Sequence, residues 1–371
     1  MNKILILGIG NAQVDAIRYC KNAGIEVHAC AYNEHGPGRA LADRFALIDI
    51  VDIEAVCRYA ADNKMDWVYS IGSDVAMPTI AAVSEKLGLP HFISYQTAAI
   101  CQNKAKMRSV LGPDFVGNVP YAVIREKDDI RSWREYPCML KPADSQGQRG
   151  VYMIRERQDY DRYYEQAMRY SRAKELIVER YIAGREISAN VYLNDGKVVF
   201  SQLTDRIPLC DYPGNPAKEH RIPAMAVDQP IIEKTADLIK RVLEKLTIAD
   251  GPVYFQIKLA DGELFLIEMA PRLDGCHLWR LIDHYCGVDL LDVTFRHLTA
   301  GECHIKDPVS DKTRSYRLKY FQKEPGKIVK RGDLSIDRSP LYLEFYYLPE
   351  ETVRPVNGHM EKIGYYIEHL K

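Results

Sequence analysis

The first hundred residues switch between short apolar runs and helical periodicity, a rhythm that admits few folds other than a parallel sheet with crossover helices. Ile4 to Leu7 is a continuous apolar run, followed by Gly8-Ile9-Gly10 and a helical pattern through Val14, Ile17 and Cys20. Gly24 stands where a helix-terminating glycine belongs, and Ile25, Val27, Ala29 and Ala31 then alternate as in a strand. A helix is expected over 52–62 with Asp52 as its N-cap, a strand over 67–71, and a helix over 74–87 closed by Gly88. Residues 1–102 therefore read as a Rossmann-like α/β unit.

Beyond Cys138 the strand signals draw together. Two hairpins are expected: 187–193 with 198–202 around Asp195-Gly196, and 253–259 with 263–269 around Asp261-Gly262. Residues 231–246 carry a long amphipathic helical stripe. The polar stretch Thr204 to Pro223 holds Pro208, Pro213, Gly214 and Pro216, and is expected as one long loop, a candidate lid. From about Pro308 short strands and turns return. A chain of 371 residues has room for two or three domains. The expected boundaries are 1–102, 103–306 and 307–371, in an α/β (α+β) fold that closes on a small β-rich unit.

Lys and Arg total 50 against 51 Asp and Glu, so no global field draws this chain to nucleic acid or to a membrane surface. Nine cysteines (20, 30, 57, 101, 138, 210, 276, 286 and 303) are scattered without a CxxC pair, which argues against a disulfide framework or a structural zinc site. The Ile4–Leu7 run is too short for a leader or a membrane span, and a cytoplasmic location is expected. Gly8 and Gly10 invite a dinucleotide reading, but the third glycine of that fingerprint is Gln13 here, so a tight strand-to-helix turn is the better account. There is no GxxxxGK[ST] loop either.

Three segments carry chemistry. Cys138 to Pro142 reads as a strand ending in Lys141, within reach of a phosphate, followed by Ser145-Gln146-Gly147-Gln148-Arg149-Gly150, whose glycines let backbone N–H groups approach anionic oxygens. Leu176 to Ile182 reads as a strand running into an exposed linker that ends at Glu186, able to meet an adenine edge and then ribose hydroxyls. Glu268 with Gln256 on the facing strand offers oxygen ligands suited to Mg²⁺, and Arg272 can grip a phosphoryl group or a carboxylate. Taken singly, each is also compatible with an ordinary strand carrying solvated charges.

Their order resembles the ATP-grasp superfamily, of the carboxylate-amine ligase and carbamoyl-phosphate-synthase-like kind. The resemblance rests on Asn103-Lys104, Lys141-Pro142, Ser145 to Val151, Glu179 to Glu186, and the set Gln256, Glu268 and Arg272. Tyr320-Phe321 before Pro325-Gly326-Lys327-Ile328, and Ile363-Gly364-Tyr365-Tyr366, extend it into the tail. It implies a two-subdomain ATP-grasp fold over 103–306 that binds ATP and Mg²⁺. Lys104 and Lys141 would contact phosphates, with Ser145, Gly147, Gln148, Arg149 and Gly150 closing over them. Glu179, Arg180, Tyr181 and Ile182 would line the adenine, Glu186 the ribose, and Gln256 and Glu268 the metal.

The implied reaction activates a small-molecule carboxylate as an acyl phosphate and passes it to an amine, with Arg272 and Lys141 as catalytic residues. Other chemistry of the superfamily, such as carboxylation or carbamoyl-phosphate-type synthesis, is the alternative, followed by a nucleotide-responsive protein without catalysis and then a dehydrogenase. Two features depart from the pattern. Ala270 stands where many members have Asn, and a two-residue Asp261-Gly262 turn would set Phe255, not Gln256, opposite Glu268 unless the hairpin is bulged. Asp74, Asp274, His277 and Arg280 are further candidates near substrate, although Asp74 equally suits a plain helix N-cap and His277 is more often a structural hydrogen-bonder. His220 and Arg221 are candidates either to clamp the lid or merely to solvate it, and a homodimer through either end unit is compatible with the chain.

Overall fold

A computed structural model of the protein describes residues 2–225, 227–309, 314–336, 339–356 and 359–370. Its amino-terminal part is a parallel sheet of β1 (Lys3–Leu7), β2 (Glu26–Ala31), β3 (Arg44–Leu47) and β4 (Trp67–Tyr69), in the order β3-β2-β1-β4. Helices α1 (Asn11–Asn22), α2 (Gly38–Leu41), α3 (Ile53–Asp62), α4 (Met77–Leu87), α5 (Tyr95–Gln102) and α6 (Lys104–Leu111) connect and extend it. Ile4 to Leu7 are all buried, as a parallel strand covered on both faces must be. Asp52 caps α3 by accepting from Ala55 N at 3.0 Å, and Gly88 ends α4 with φ of 68°. The edge strand β3 has no sequence signal, because its Arg-Phe-Ala-Leu is half-exposed and does not alternate. At the first turn, Gln13 Oε1 accepts from Gly10 N at 2.9 Å, and the Gln13 amide donates to Ile71 O. The side chain that breaks the glycine fingerprint thus fills the turn.

A second sheet, antiparallel, orders β5 (Tyr121–Ile124), β6 (Cys138–Pro142), β7 (Tyr152–Ile154) and β8 (Leu176–Arg180) as β5-β8-β6-β7. Helix α7 (Arg157–Met168) covers it, with Tyr160, Tyr164 and Ala167 in one core with Leu140, Ile154 and Val178. The largest sheet has eight strands. They are β9 (Arg185–Asn194), β10 (Lys197–Pro208), β11 (Ala217–Ile222), β12 (Gly251–Ala260), β13 (Glu263–Ala270), β14 (Ser315–Lys323), β15 (Tyr342–Phe345) and β16 (Glu361–Leu370). Their order is β13-β12-β9-β10-β11-β14-β16-β15, so the carboxy-terminal strands extend the sheet that the two expected hairpins begin. Helix α8 (Gln229–Lys245) shares one core with the apolar side chains of β9 and β12, while α9 (Leu278–Cys286) and α10 (Leu290–Ala300) contact β11, β12 and β14.

The expected loop from Thr204 to Pro223 is not a loop. Residues 204–208 complete β10 and 217–222 form β11, leaving only 209–216 between them. The stretch is polar because its charges are paired inside: Arg206, 6% exposed, binds Glu186, and Glu219, 3% exposed, accepts from Arg221 at 2.6 Å. Polarity signalled a buried charged surface, and Pro208 sits at a register shift where a strand tolerates it.

The β12–β13 hairpin decides the register of the site. Asp261 and Gly262 form a two-residue turn with φ of 51° and 78°, and Ala260 pairs with Glu263. Ile257 pairs with Leu266 but Gln256 pairs with Glu268, so Ile267 is an extra residue, a β-bulge. The bulge puts Gln256 and Glu268 opposite each other on one face. Its carbonyls are held by Arg108 of α6, fully buried, which donates to Leu266 O at 2.7 Å and Ile267 O at 3.1 Å. The same guanidinium donates to Glu179 Oε1 at 2.8 Å. Arg108→Met leaves the buried Glu179 short of one partner and two carbonyls unpaired, and is expected to lower stability by about 3–5 kcal/mol. Urea unfolding checks this; a loss below about 1 kcal/mol contradicts the account.

Candidate active site

One face of the eight-stranded sheet is polar, and strand pairing shows which residues share it. Directly opposite residues lie on the same face. Across β13, β12, β9 and β10 one row reads Glu268, Gln256, Ser188, Thr204. The next row, across β12, β9, β10 and β11, reads Lys258, Glu186, Arg206, His220. Buried charges must be paired, and here they are. Glu186 binds Arg206 and Lys258, the latter at 3.4 Å, and accepts from Gln256 Nε2 at 3.0 Å. Burial alone would raise the Glu186 pKa, but Arg206 and Lys258 outweigh it and hold the carboxyl below its ordinary range.

The lysines come from other elements. Asn103 caps α6 through Lys106 N at 2.9 Å, which places Lys104 in the first turn. Lys104 Nζ donates to Ser145 O at 2.8 Å and lies 3.6 Å from Glu268 Oε1, bridging the glycine loop and β13. Lys141, near the end of β6, binds Glu179. Burial opposes ionisation of Glu179, yet Arg108 and Lys141 hold its pKa at about 2. Arg272 binds Asp74 of the amino-terminal part through Nε at 2.7 Å and also donates to Leu273 O at 2.9 Å. Asp74 is therefore an ion-pair partner of Arg272, and Ser73, not Asp74, precedes its short helical turn.

The loop from Ser145 to Gly150 is tied to itself and to its neighbours. Ser145 Oγ donates to Arg149 O at 3.2 Å and Arg149 Nε to Gln146 O at 3.2 Å. Gln146 Oε1 accepts from Asp74 N at 2.8 Å, so the loop reaches the amino-terminal sheet unit. Gly147 and Gly150 have φ of 65° and 74°, and a Cβ on Gly150 would come within 2.8 Å of Pro142. Gln148 Nε2 donates to Asn215 O at 3.4 Å, bringing the glycine loop against the 209–216 turn.

The linker also has a required glycine. A Cβ on Gly184 would stand 2.3 Å from Leu259 O, so only glycine lets this segment pass β12 so closely. Ile182 is buried, Tyr181 lies under Lys258 Nζ at 5.4 Å, and Arg180 stacks over Phe265 at 5.6 Å. The structure thus brings Lys104, Lys141, Ser145, Glu179, Glu186, Gln256, Glu268 and Arg272 into one neighbourhood of linked charges. It gives His277 and Arg280 another place. His277 bonds Asp15 of α1 at 2.9 Å and stacks on Tyr365 at 4.5 Å, while Arg280 binds Asp15 at 3.0 Å and Tyr365 Oη at 3.0 Å. Both fasten the first unit to the tail. His220 is wholly buried on the sheet face and clamps no loop. Sequence reading missed Arg108, Arg206 and Lys258; the alternation of Thr204 and Arg206 with Leu203 and Ile207 was the available signal for the second.

Residues 134–278 match the family model described as the ATP-grasp domain. This stretch of the chain is an ATP-grasp domain. The matched segment contains Lys141, the glycine loop, the linker, Gln256, Glu268 and Arg272. A formate-dependent phosphoribosylglycinamide formyltransferase of Wolinella succinogenes is 23% identical over 73% of this chain and 70% of its own length. An L-arginine-specific L-amino acid ligase of Bacillus subtilis is 23% identical over 53% of this chain and 49% of its own. Among solved structures, an L-amino acid ligase from Bacillus licheniformis matches with a TM-score of 0.77, 16% identity, 100% of this chain and 93% of its own. No helix among the described residues is long and apolar enough to cross a membrane.

Glu179, within the matched domain, has a pH signature. Its folded pKa, about 2, lies below the ordinary 4.5, so its stabilisation is present above pH 4.5 and is lost as pH falls toward 2. Glu179→Gln is expected to lower stability at pH 7 and to flatten the acid limb of the stability–pH curve. Thermal melts from pH 7 to pH 2 check it, and an unchanged acid limb contradicts it.

Proposed function

We propose that this protein is an ATP-dependent ligase that activates a small-molecule carboxylate as an acyl phosphate and joins it to an amine. The observation that carries the reading is the convergence of Lys104, Lys141 and Arg272, each already beside a carboxylate, on the face that holds Gln256 and Glu268. Relatives named as an L-amino acid ligase and a D-alanine–D-alanine ligase, and a similarly folded synthetase solved as an ADP complex, support it. In this reading 1–102 helps hold substrate, 103–306 carries ATP, and 307–371 completes the sheet.

Mg²⁺ fits the oxygen donors present. Gln256 spends its Nε2 on Glu186, which leaves its amide oxygen free beside the partly exposed Glu268 carboxylate. No cluster of three or more His, Cys, Asp or Glu suited to a metal occurs among the described residues, so the remaining ligands would be phosphate oxygens and water, as Mg²⁺ prefers. When bound, the ion would neutralise charge on the transferring phosphoryl group. Ala270 supplies no further ligand.

The chain's own residues do the positioning. An ammonium has three protons, so Lys104 and Lys141 can each meet a phosphate oxygen without giving up their present partners. The carboxylate oxygen is a weak nucleophile facing a dense negative charge, and alignment with charge neutralisation lowers that barrier. Arg272 orients the acyl phosphate, with Asp74 fixing its guanidinium. The glycine loop and the 209–216 turn, already touching, exclude water from an intermediate that hydrolyses readily.

ADP release measured across a grid of amino acids, small carboxylates and amines tests the reading, with a bicarbonate arm for carboxylation. Turnover requiring one carboxylate and one amine is expected; turnover on bicarbonate alone contradicts it. In that assay Arg272→Ala should reduce kcat about 100-fold or more while ATP affinity changes little. Near-normal turnover would remove Arg272 from its role.

A further inference from the structure

The second sheet has a back as well as a front. Leu140, Ile154 and Val178 turn toward α7, so Lys141 and Glu179, one residue along from Leu140 and Val178, face the other way. On the α7 side a cavity of about 770 Å³ runs between the helix, the glycine loop and the tail. Arg149 and Gly150 of the loop form one wall, Arg162, Gln166 and Arg169 along α7 and its end a second, and His359 before β16 a third. The walls are held in place. Tyr152 of β7 stacks on Tyr163 at 4.5 Å, and its hydroxyl donates to Gln166 Oε1 at 3.4 Å. Tyr170 packs on Gly150, where a Cβ would come within 3.0 Å of its ring.

The cavity carries charge that the fold does not neutralise. Nearby arginines are answered: Arg157 pairs with Asp161 at 3.6 Å on the same helix, and Arg125 with Glu175 at 2.9 Å. Among the described residues, Arg149, Arg162 and Arg169 have no carboxylate within ion-pair distance. Glu165 is the one carboxylate in the lining, which leaves an excess of two positive charges. The helix dipole favours a cation at Arg169, at the C-terminal end of α7, but not at Arg162 in its middle. Arg149 spends its Nε on Gln146 O and keeps its other N–H donors. Guanidinium forks match the paired oxygens of a phosphoryl group, and a concave wall of one sign favours a multivalent anion. Arg162 and Arg169 stand seven residues apart, about 10 Å along the helix axis, so an anion that meets both carries oxygens at both ends. The volume suits a small molecule.

We propose that this cavity is an effector site for a small anion with two or more phosphoryl groups, and that its occupant ties the glycine loop to α7 through Arg149, Arg162 and Arg169. Tyr170, 45% exposed beside the loop, offers an aromatic face to the organic part of such a ligand. Gln148 already holds Asn215, so a loop fixed from behind also fixes the 209–216 turn. Lys141, which the ligase reading uses, stands on the other face of the second sheet, and binding behind it is read without turnover.

Pyrophosphate is the probe, titrated calorimetrically into the intact protein in EDTA, with and without saturating ADP. One site is expected to survive ADP. Arg162→Gln and Arg169→Gln, both at exposed positions, should each weaken it about tenfold, because each removes a charge-assisted contact. Arg157→Gln removes the same charge from the same helix, where Asp161 already answers it, and should leave binding unchanged. All three variants should keep native ADP affinity. Hydrogen exchange, read by mass spectrometry, should slow at residues 146–150 when pyrophosphate binds. No binding, competition by ADP, affinity unmoved in Arg162→Gln and Arg169→Gln, or an equal loss in Arg157→Gln overturns the site. Binding that leaves exchange at 146–150 unchanged overturns the tie to the loop. A protein that binds pyrophosphate here but turns over no carboxylate with ATP overturns the ligase reading alone.

Discussion

The guanidinium of Arg108 is the tie on which the polar sheet face depends. It is wholly buried between α6, β8 and β13, and its donors reach Glu179 and the carbonyls of Leu266 and Ile267, with Asn118 Oδ1 as a further acceptor at 3.2 Å. A buried charge persists only when fully paired, so these bonds fix three elements together. The bulge at Ile267 sets Glu268 opposite Gln256, and Glu179, the second partner, holds Lys141. One arginine therefore couples the position of Glu268 to that of Lys141.

The same economy runs through the rest of the proposed site. Lys104, Lys141 and Arg272 already face Glu268, Glu179 and Asp74, so the cations are neutralised in place and a bound anion need only share them. Charges held by the fold do not have to reorganise when a polyphosphate arrives, which is where preorganised electrostatics gain over water. Asp74 also joins the amino-terminal unit to Arg272 and to Gln146 of the glycine loop, so that unit borders the proposed site.

Much of this was legible in the sequence, for reasons that differ by element. Strands buried on both faces, such as Ile4 to Leu7, announce themselves as apolar runs, and Asp52 and Gly88 mark helix ends because capping is local chemistry. The family residues were legible because their order survives at low identity. The register of Gln256 was not, since a bulge is fixed by a tertiary partner, Arg108, that lies 159 residues from Ile267 in sequence. The Thr204 to Pro223 stretch was misread for a related reason. Polar residues on a strand look like a loop until their buried partners, Glu186 among them, are known. The edge strand β3 left no signal at all.

Calorimetric titration with ADP, with and without Mg²⁺, tests most directly whether this face is a metal-assisted nucleotide site. The account predicts that Mg²⁺ tightens ADP binding in the native protein, and that Glu268→Gln and Gln256→Met each lose most of that increment while keeping metal-free ADP affinity. An increment untouched by both substitutions would contradict it.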